Sequence, residues 1–155
     1  VAGFQFYRDK NRKISPKLRE LGQARAGFAR GSQFVFSQHC KALRASGYSE
    51  EQIAAIPHWS ATDLFAPVER AVLAYTDDLV LQGGRVADGT FALLKEHLSE
   101  VEIIELTYIT CTYELHATMT RALRLEFDNV AERVVEVAVP EGEKRDIDFF
   151  QDIDD

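Results

Sequence analysis

Apolar residues recur along most of this chain at helical spacing, and the breaks carry the residues that start and stop helices. Ser15-Pro16 offers an N-cap followed by proline at the first helical position. The stretch from Lys17 to about Arg30 then sets Leu18, Leu21, Arg25 and Phe28 on one face. Gly31-Ser32 interrupts, and Gln33 to about Ser46 predicts a second helix with Phe34, Val35, Ala42 and Leu43 spaced for burial, closed by Gly47. Ser49 with Gln52 forms a capping box for a short helix ending near Ile56. Pro57 to Ala66 is expected as a loop.

Pro67 opens a fourth helix to about Leu81, with Val68, Val72, Tyr75 and Leu79 turned inward, and Gly83-Gly84 closes it. Asp88 is expected to cap a helix from Gly89 to Leu98. Ser99 with Glu102 opens a long final helix to about Arg124. Its apolar residues Ile103, Leu106, Tyr108, Ile109, Tyr113, Met119 and Leu123 spread too widely for one stripe, which predicts a central helix or an oligomer contact. Tyr108 and Phe28 are expected in the core. The pattern describes an all-α protein of about six helices in one domain, residues 1–128. Residues 129–155 follow as an acidic extension, in which Val134, Val135, Val137 and Val139 suggest a short strand or arm.

Charge sharpens this division. From Glu126 to Asp155 there are 11 acidic residues against three basic ones, a balance of −8 out of the chain's −7, so the preceding body is close to neutral. An acidic tail on a neutral body argues against nucleic-acid binding, which wants a basic face. No run of 18 apolar residues is present, so no membrane-spanning helix is expected. Val1 to Arg12 has no apolar signal core, and a cytoplasmic protein is expected. Cys40 and Cys111 form neither a Cys-x-x-Cys pair nor zinc spacing, and the plain expectation is two reduced, buried thiols.

One constellation carries chemistry. Glu20 lies 11 residues before Gly31 and His39 eight after it, about 16 and 12 Å along the two helices at 1.5 Å per residue. If the helices fold back as a hairpin, the roughly 4 Å offset is within reach of two side chains. A carboxylate beside an imidazole raises its proton affinity and fixes its tautomer, which suits general acid–base work. Ordinary pairing within a helical hairpin gives the same juxtaposition. On the last helix Tyr113 and His116 lie three apart and share a face. His116 is either a satisfied core or interface histidine or a substrate ligand opposite His39. Cys111 with His116 is the one pairing in reach of a metal, and no metal or cofactor is expected. His58 and His97 are expected to face solvent or cap a helix.

The order of these features resembles the carboxymuconolactone decarboxylase and alkylhydroperoxidase D-like superfamily. The resemblance rests on Ser15-Pro-Lys-Leu-Arg-Glu20-Leu, Gly31-Ser32-Gln-Phe-Val35-Phe36-Ser-Gln-His39 and Ala45-Ser-Gly47-Tyr-Ser-Glu-Glu-Gln-Ile53. It extends through Leu64-Phe65-Ala-Pro-Val-Glu-Arg-Ala-Val-Leu73 and Val101 to Leu123, roughly Ser15 to Asp128 in all. It implies an alkylhydroperoxidase D-like fold with a central antiparallel hairpin, assembled as a trimer or hexamer. The peroxidase branch carries cysteines where this chain has Ser32 and Val35, so its thiolate chemistry is absent at that place. The family's glutamate and histidine positions are Glu20 and His39. The resemblance therefore implies a decarboxylase-like enzyme acting on a small carboxylated or lactone substrate. Glu20 and His39 would be catalytic, with Ser32, Phe36, Tyr113 and His116 lining the pocket. One alternative is alkylhydroperoxidase or peroxiredoxin-type antioxidant activity through a displaced thiol, Cys40 or Cys111. The other is a non-catalytic ligand-binding or assembly protein.

Overall fold

A computed structural model describes Phe6 and residues 10–125. Among them are six α-helices and no strand: α1 (Pro16–Ala29), α2 (Gln33–Ala45), α3 (Glu50–Ala55), α4 (Pro67–Leu81), α5 (Asp88–His97) and α6 (Glu100–Ala122). The strand or arm expected beyond residue 128 lies outside the described residues.

Both expected capping boxes form. Ser49 accepts from the Gln52 backbone at 3.1 Å while Gln52 returns the bond, and Ser99 and Glu102 do the same at the head of α6. Three expectations are corrected. Ser15 precedes α1 but makes no side-chain cap; its carbonyl accepts from Arg19, and Pro16 alone fixes the start. Asp88 is the first residue of α5 rather than its cap, where its carboxylate meets the positive end of the helix dipole; Ala87 holds the cap position. The first residues of the expected loop, from Pro57, belong to a 3₁₀ helix, Ile56–Ala61. It is held there by Arg70, which donates to the Trp59 and Thr62 carbonyls at 3.2 and 2.6 Å.

The central helix is α1, not α6: Leu21 through Gly27 are all buried. One face of α1 joins Leu21 and Ala24 to Phe36, Cys40 and Leu43 of α2, Ile53 and Ala55 of α3, and Leu73 of α4. The other joins Ala26 to Val72, Tyr75 and Leu79 of α4, Leu94 of α5, and Ile103, Leu106 and Ile109 of α6. Each fully covered leucine or isoleucine contributes about 1.5–3 kcal/mol relative to an exposed one. Between the two clusters, Arg25 makes a two-pronged ion pair with Asp77 (2.6 and 3.1 Å) and donates to the Ile56 and Pro57 carbonyls. Trp59 Nε1 donates to the same carboxylate at 2.9 Å, so α1, α4 and the 3₁₀ turn are tied by one network.

Helices α1 and α2 pack closely because Gly27 has no side chain. A Cβ there would lie 2.8 Å from the Phe36 backbone nitrogen and 2.8 Å from Val35 Cγ1. The broad apolar pattern of α6 has a different outcome from centrality. Its inner side is buried, and its outer side leaves Val101, Ile104, Tyr108, Leu115 and Met119 more than two fifths exposed. Tyr108 (45%) and Phe28 (39%) are thus on the surface rather than in the core, covered only in part by the rings of Phe6 and Phe36.

Candidate functional site

The hairpin turn that brings α1 back along α2 is fixed by its own backbone and by α6. Gly31 adopts φ +68°, a left-handed conformation that glycine takes without penalty. Arg121 of α6 donates to the Arg30 carbonyl at 3.0 Å, and its guanidinium lies so near that a Cβ on Gly31 would sit 2.8 Å away. Arg30 itself pairs with Glu114 of α6. Ser32 caps α2 by accepting from the Val35 amide at 3.2 Å, and its hydroxyl meets Thr120 at 2.9 Å. Since Thr120 already donates to the Ala117 carbonyl, Ser32 is the donor across that contact. The turn is therefore clamped to the C-terminal half of α6.

With the stagger set, Glu20 of α1 and His39 of α2 meet. His39 Nδ1 lies 2.6 Å from Glu20 Oε2, both side chains about nine-tenths covered. The other carboxylate oxygen accepts from Arg19 Nη2 at 2.9 Å. Gln23, 1% exposed and one turn along α1, sets its side-chain amide 3.1 Å from the same carboxylate, and because a carboxylate only accepts, the amide nitrogen is assigned to that position as donor. Burial alone would push the Glu20 carboxyl up. The hydrogen bond and charge of His39, joined by Arg19, outweigh it and hold the group below its ordinary value. An ionised carboxylate only accepts, so Nδ1 carries the hydrogen and Nε2 is the ring atom left for exchange with a ligand.

Helix α6 adds rings to this pair. Tyr113 stands edge-on to His39 with centroids 4.5 Å apart, His116 lies 5.8 Å from Tyr113, and Phe34 of α2 closes on His116 at 6.0 Å. His116 is held below the ordinary imidazole value, first by burial and then by the charge of His39. It is therefore largely neutral at pH 7.

Of the residues expected to form the site, the structure brings together Glu20, His39, Tyr113 and His116. Ser32 is occupied as the cap of α2. Phe36 packs in the α1–α2 core and meets Phe28 at 5.6 Å. Cys40 is buried on the core side of α2, and burial pushes its thiol up to about 12. Cys111, expected to be buried, is exposed on the outer face of α6, and its thiol too is raised, by partial desolvation. His58 and His97 face solvent. Sequence spacing could have flagged Gln23, three residues after Glu20 on the same helix face, and Arg19 beside it. Among the described residues no cluster of three or more His, Cys, Asp or Glu side chains is placed to hold a metal ion.

The family described as the carboxymuconolactone decarboxylase family matches residues 1–78. No curated protein matches the sequence. Among solved structures, a protein of unknown function from Agrobacterium tumefaciens, described as a candidate antioxidant defence protein AhpD, superposes with a TM-score of 0.76. Its identity is 22%, over 82% of this chain and 86% of that one. The apo form of the debrominase Bmp8 superposes with a TM-score of 0.63 at 18% identity, over 72% of this chain and 60% of that one. The all-α, alkylhydroperoxidase D-like fold is common to them.

Proposed function

Since the chain belongs to the carboxymuconolactone decarboxylase family, we propose that it is an enzyme of the decarboxylase type, acting on a small carboxylated or lactone substrate by proton transfer. The observation that carries this is the Glu20–His39 contact, in which a carboxylate anchored by Arg19 and Gln23 holds the imidazole by Nδ1. Loss of carbon dioxide from a carboxylate leaves its bonding electron pair on carbon as a carbanion or enolate. The proton that quenches it comes from His39 Nε2, and Glu20 orients the ring and balances its charge. Tyr113 and His116 frame the ligand, and a ligand pocket typically combines rings with a few polar groups in this way.

The antioxidant alternative needs a thiolate, and burial raises both thiols, Cys40 to about 12. The solved neighbours carry different stated activities, so likeness of fold does not select the reaction. The apolar outer face of α6 supports assembly with further copies of the chain, as a trimer or hexamer.

The test is release of carbon dioxide from a panel of carboxylated lactones and aromatic acids. Wild type should turn over at least one of them, with His39→Ala reduced about 10²- to 10⁴-fold, the usual contribution of a positioned acid or base. Glu20→Gln should fall between the two. Equal turnover by wild type and His39→Ala would exclude proton transfer by this pair.

A further inference from the structure

The Glu20–His39 pair leaves a second imidazole of the same site without a part in the proton transfer. His116 stands on α6, 77 residues from His39, yet its ring and that of His39 both meet Tyr113, at centroid distances of 5.8 and 4.5 Å. We propose that His116 is a second proton-handling side chain of this site, paired with His39 across Tyr113. The site can then move a proton between two carbons of an unsaturated lactone or β,γ-unsaturated acid. This rests on the proton-transfer role proposed for His39 and extends it to a carbon–carbon proton shift without loss of carbon dioxide.

The two rings have unlike surroundings. His39 is tied to a carboxylate from α1 that is itself held by Arg19 and Gln23. His116 is set among rings, Phe34 from α2 and Tyr113 from its own helix. The charged groups near this segment are His39 on α2, Glu20 on α1, Arg30 just past the end of α1, and Glu114 on α6. Arg30 and Glu114 are paired with each other, which leaves His39 as the charge that opposes protonation of His116. A 1,3-proton shift needs a base and an acid in one site, and an imidazole held on a carboxylate beside one set among rings offers the two roles.

The step balances without a further reagent. The unprotonated ring nitrogen of His116 takes a proton from the carbon beside the carbonyl, and the C–H electron pair passes into a dienolate. His39, in its protonated form, delivers a proton from Nε2 to the far end of that conjugated system, forming the new C–H bond. The total charge of the two imidazoles is unchanged, and solvent restores the starting arrangement.

The probe is α-angelica lactone, a β,γ-unsaturated lactone, incubated with the full chain in D₂O and followed by proton NMR. Wild type should move the double bond into conjugation with deuterium entering at the γ-carbon, faster as pH rises through the His116 titration. His116→Gln, which keeps polarity, and His116→Phe, which keeps the ring contacts, should each slow this at least tenfold. Imidazole NMR titrations read the pairing without any substrate: the His116 midpoint should move up in His39→Gln. Isomerisation at the buffer rate in wild type, a wild-type rate in both His116 variants, or an unmoved His116 midpoint overturns the inference. Carbon dioxide release without lactone isomerisation overturns this inference alone. Isomerisation without carbon dioxide release leaves it standing and removes the decarboxylase assignment.

Discussion

Replacing Gly27 by alanine puts a methyl group at the crossing of α1 and α2, where its neighbours cannot step aside. The new Cβ would sit 2.8 Å from the Phe36 backbone nitrogen, 2.8 Å from Val35 Cγ1 and 3.1 Å from Val35 Cβ. Ordinary contact begins near 3.4 Å, so α2 must retreat by about half an ångström or more. Overpacking of this kind typically costs about 1–3 kcal/mol, and the clash with main chain rather than a flexible tip places this site toward the upper end. Alanine is by itself the better helix former by about 1 kcal/mol, which offsets part of the loss. The net expectation is destabilisation by about 1–2 kcal/mol, a fall in Tm of roughly 3–8 °C for a domain of this size. Gly89→Ala is the control. Gly89 is also helical, but nothing lies within 4 Å of its Cβ position, so alanine there should be neutral or stabilising by up to about 1 kcal/mol. Urea unfolding followed by circular dichroism compares all three proteins. A Gly27→Ala protein as stable as wild type would refute the close-packed hairpin. So would equal effects at both sites.

Three further outcomes follow from the same geometry. A chromogenic thiol reagent at neutral pH should modify Cys111 slowly and leave Cys40 untouched until the protein is denatured, because Cys111 is exposed while burial holds Cys40 as a thiol up to about 12; rapid reaction at both would contradict the burial of α2. Folded His116 titrates below its ordinary 6.5, so the unfolded chain binds that proton more readily, and the contribution to stability is complete above about 6.5 and lost as pH falls through it. Stability should therefore begin to decline below pH 6.5, the decline should be shallower in His116→Phe, and parallel curves for the two proteins would exclude this source. Light scattering after gel filtration should give a mass above the 17.5 kDa of one chain, and Ile104→Glu with Leu115→Glu on the exposed face of α6 should lower it; a monomeric wild type would remove the assembly proposal.

How far the sequence could be read depended on the range of the interaction that decides each feature. Helix starts set by local chemistry, Pro67 and the boxes at Ser49 and Ser99, stand where the spacing placed them. Glu20 and His39 were foreseeable as neighbours because one tight turn at Gly31 fixes their stagger, and helical rise does the rest. Asp88 was misplaced by one residue, since alanine and aspartate both fit the end of a short connection and only the Ala87–Asp78 contact decides between them. Phe28 and Tyr108 read as inward on periodicity alone, and Cys111 only on the usual burial of a free thiol. Periodicity marks an apolar face, but whether anything covers that face depends on helices distant in sequence. The closing of Tyr113 onto His39, with His116 behind it against Phe34, is of the same kind. It is set by the Arg30–Glu114, Arg121–Arg30 and Ser32–Thr120 contacts, which no local pattern announces.

Whether Glu20 and His39 act as one unit is read by a double-mutant cycle on carbon dioxide release. Glu20→Gln, His39→Gln and the double variant are measured on the same substrate, with folding checked by circular dichroism. The account predicts that the double variant is no slower than His39→Gln alone, because the carboxylate has nothing to orient once the imidazole is gone. Losses that multiply independently, or full turnover in either single variant, would contradict it.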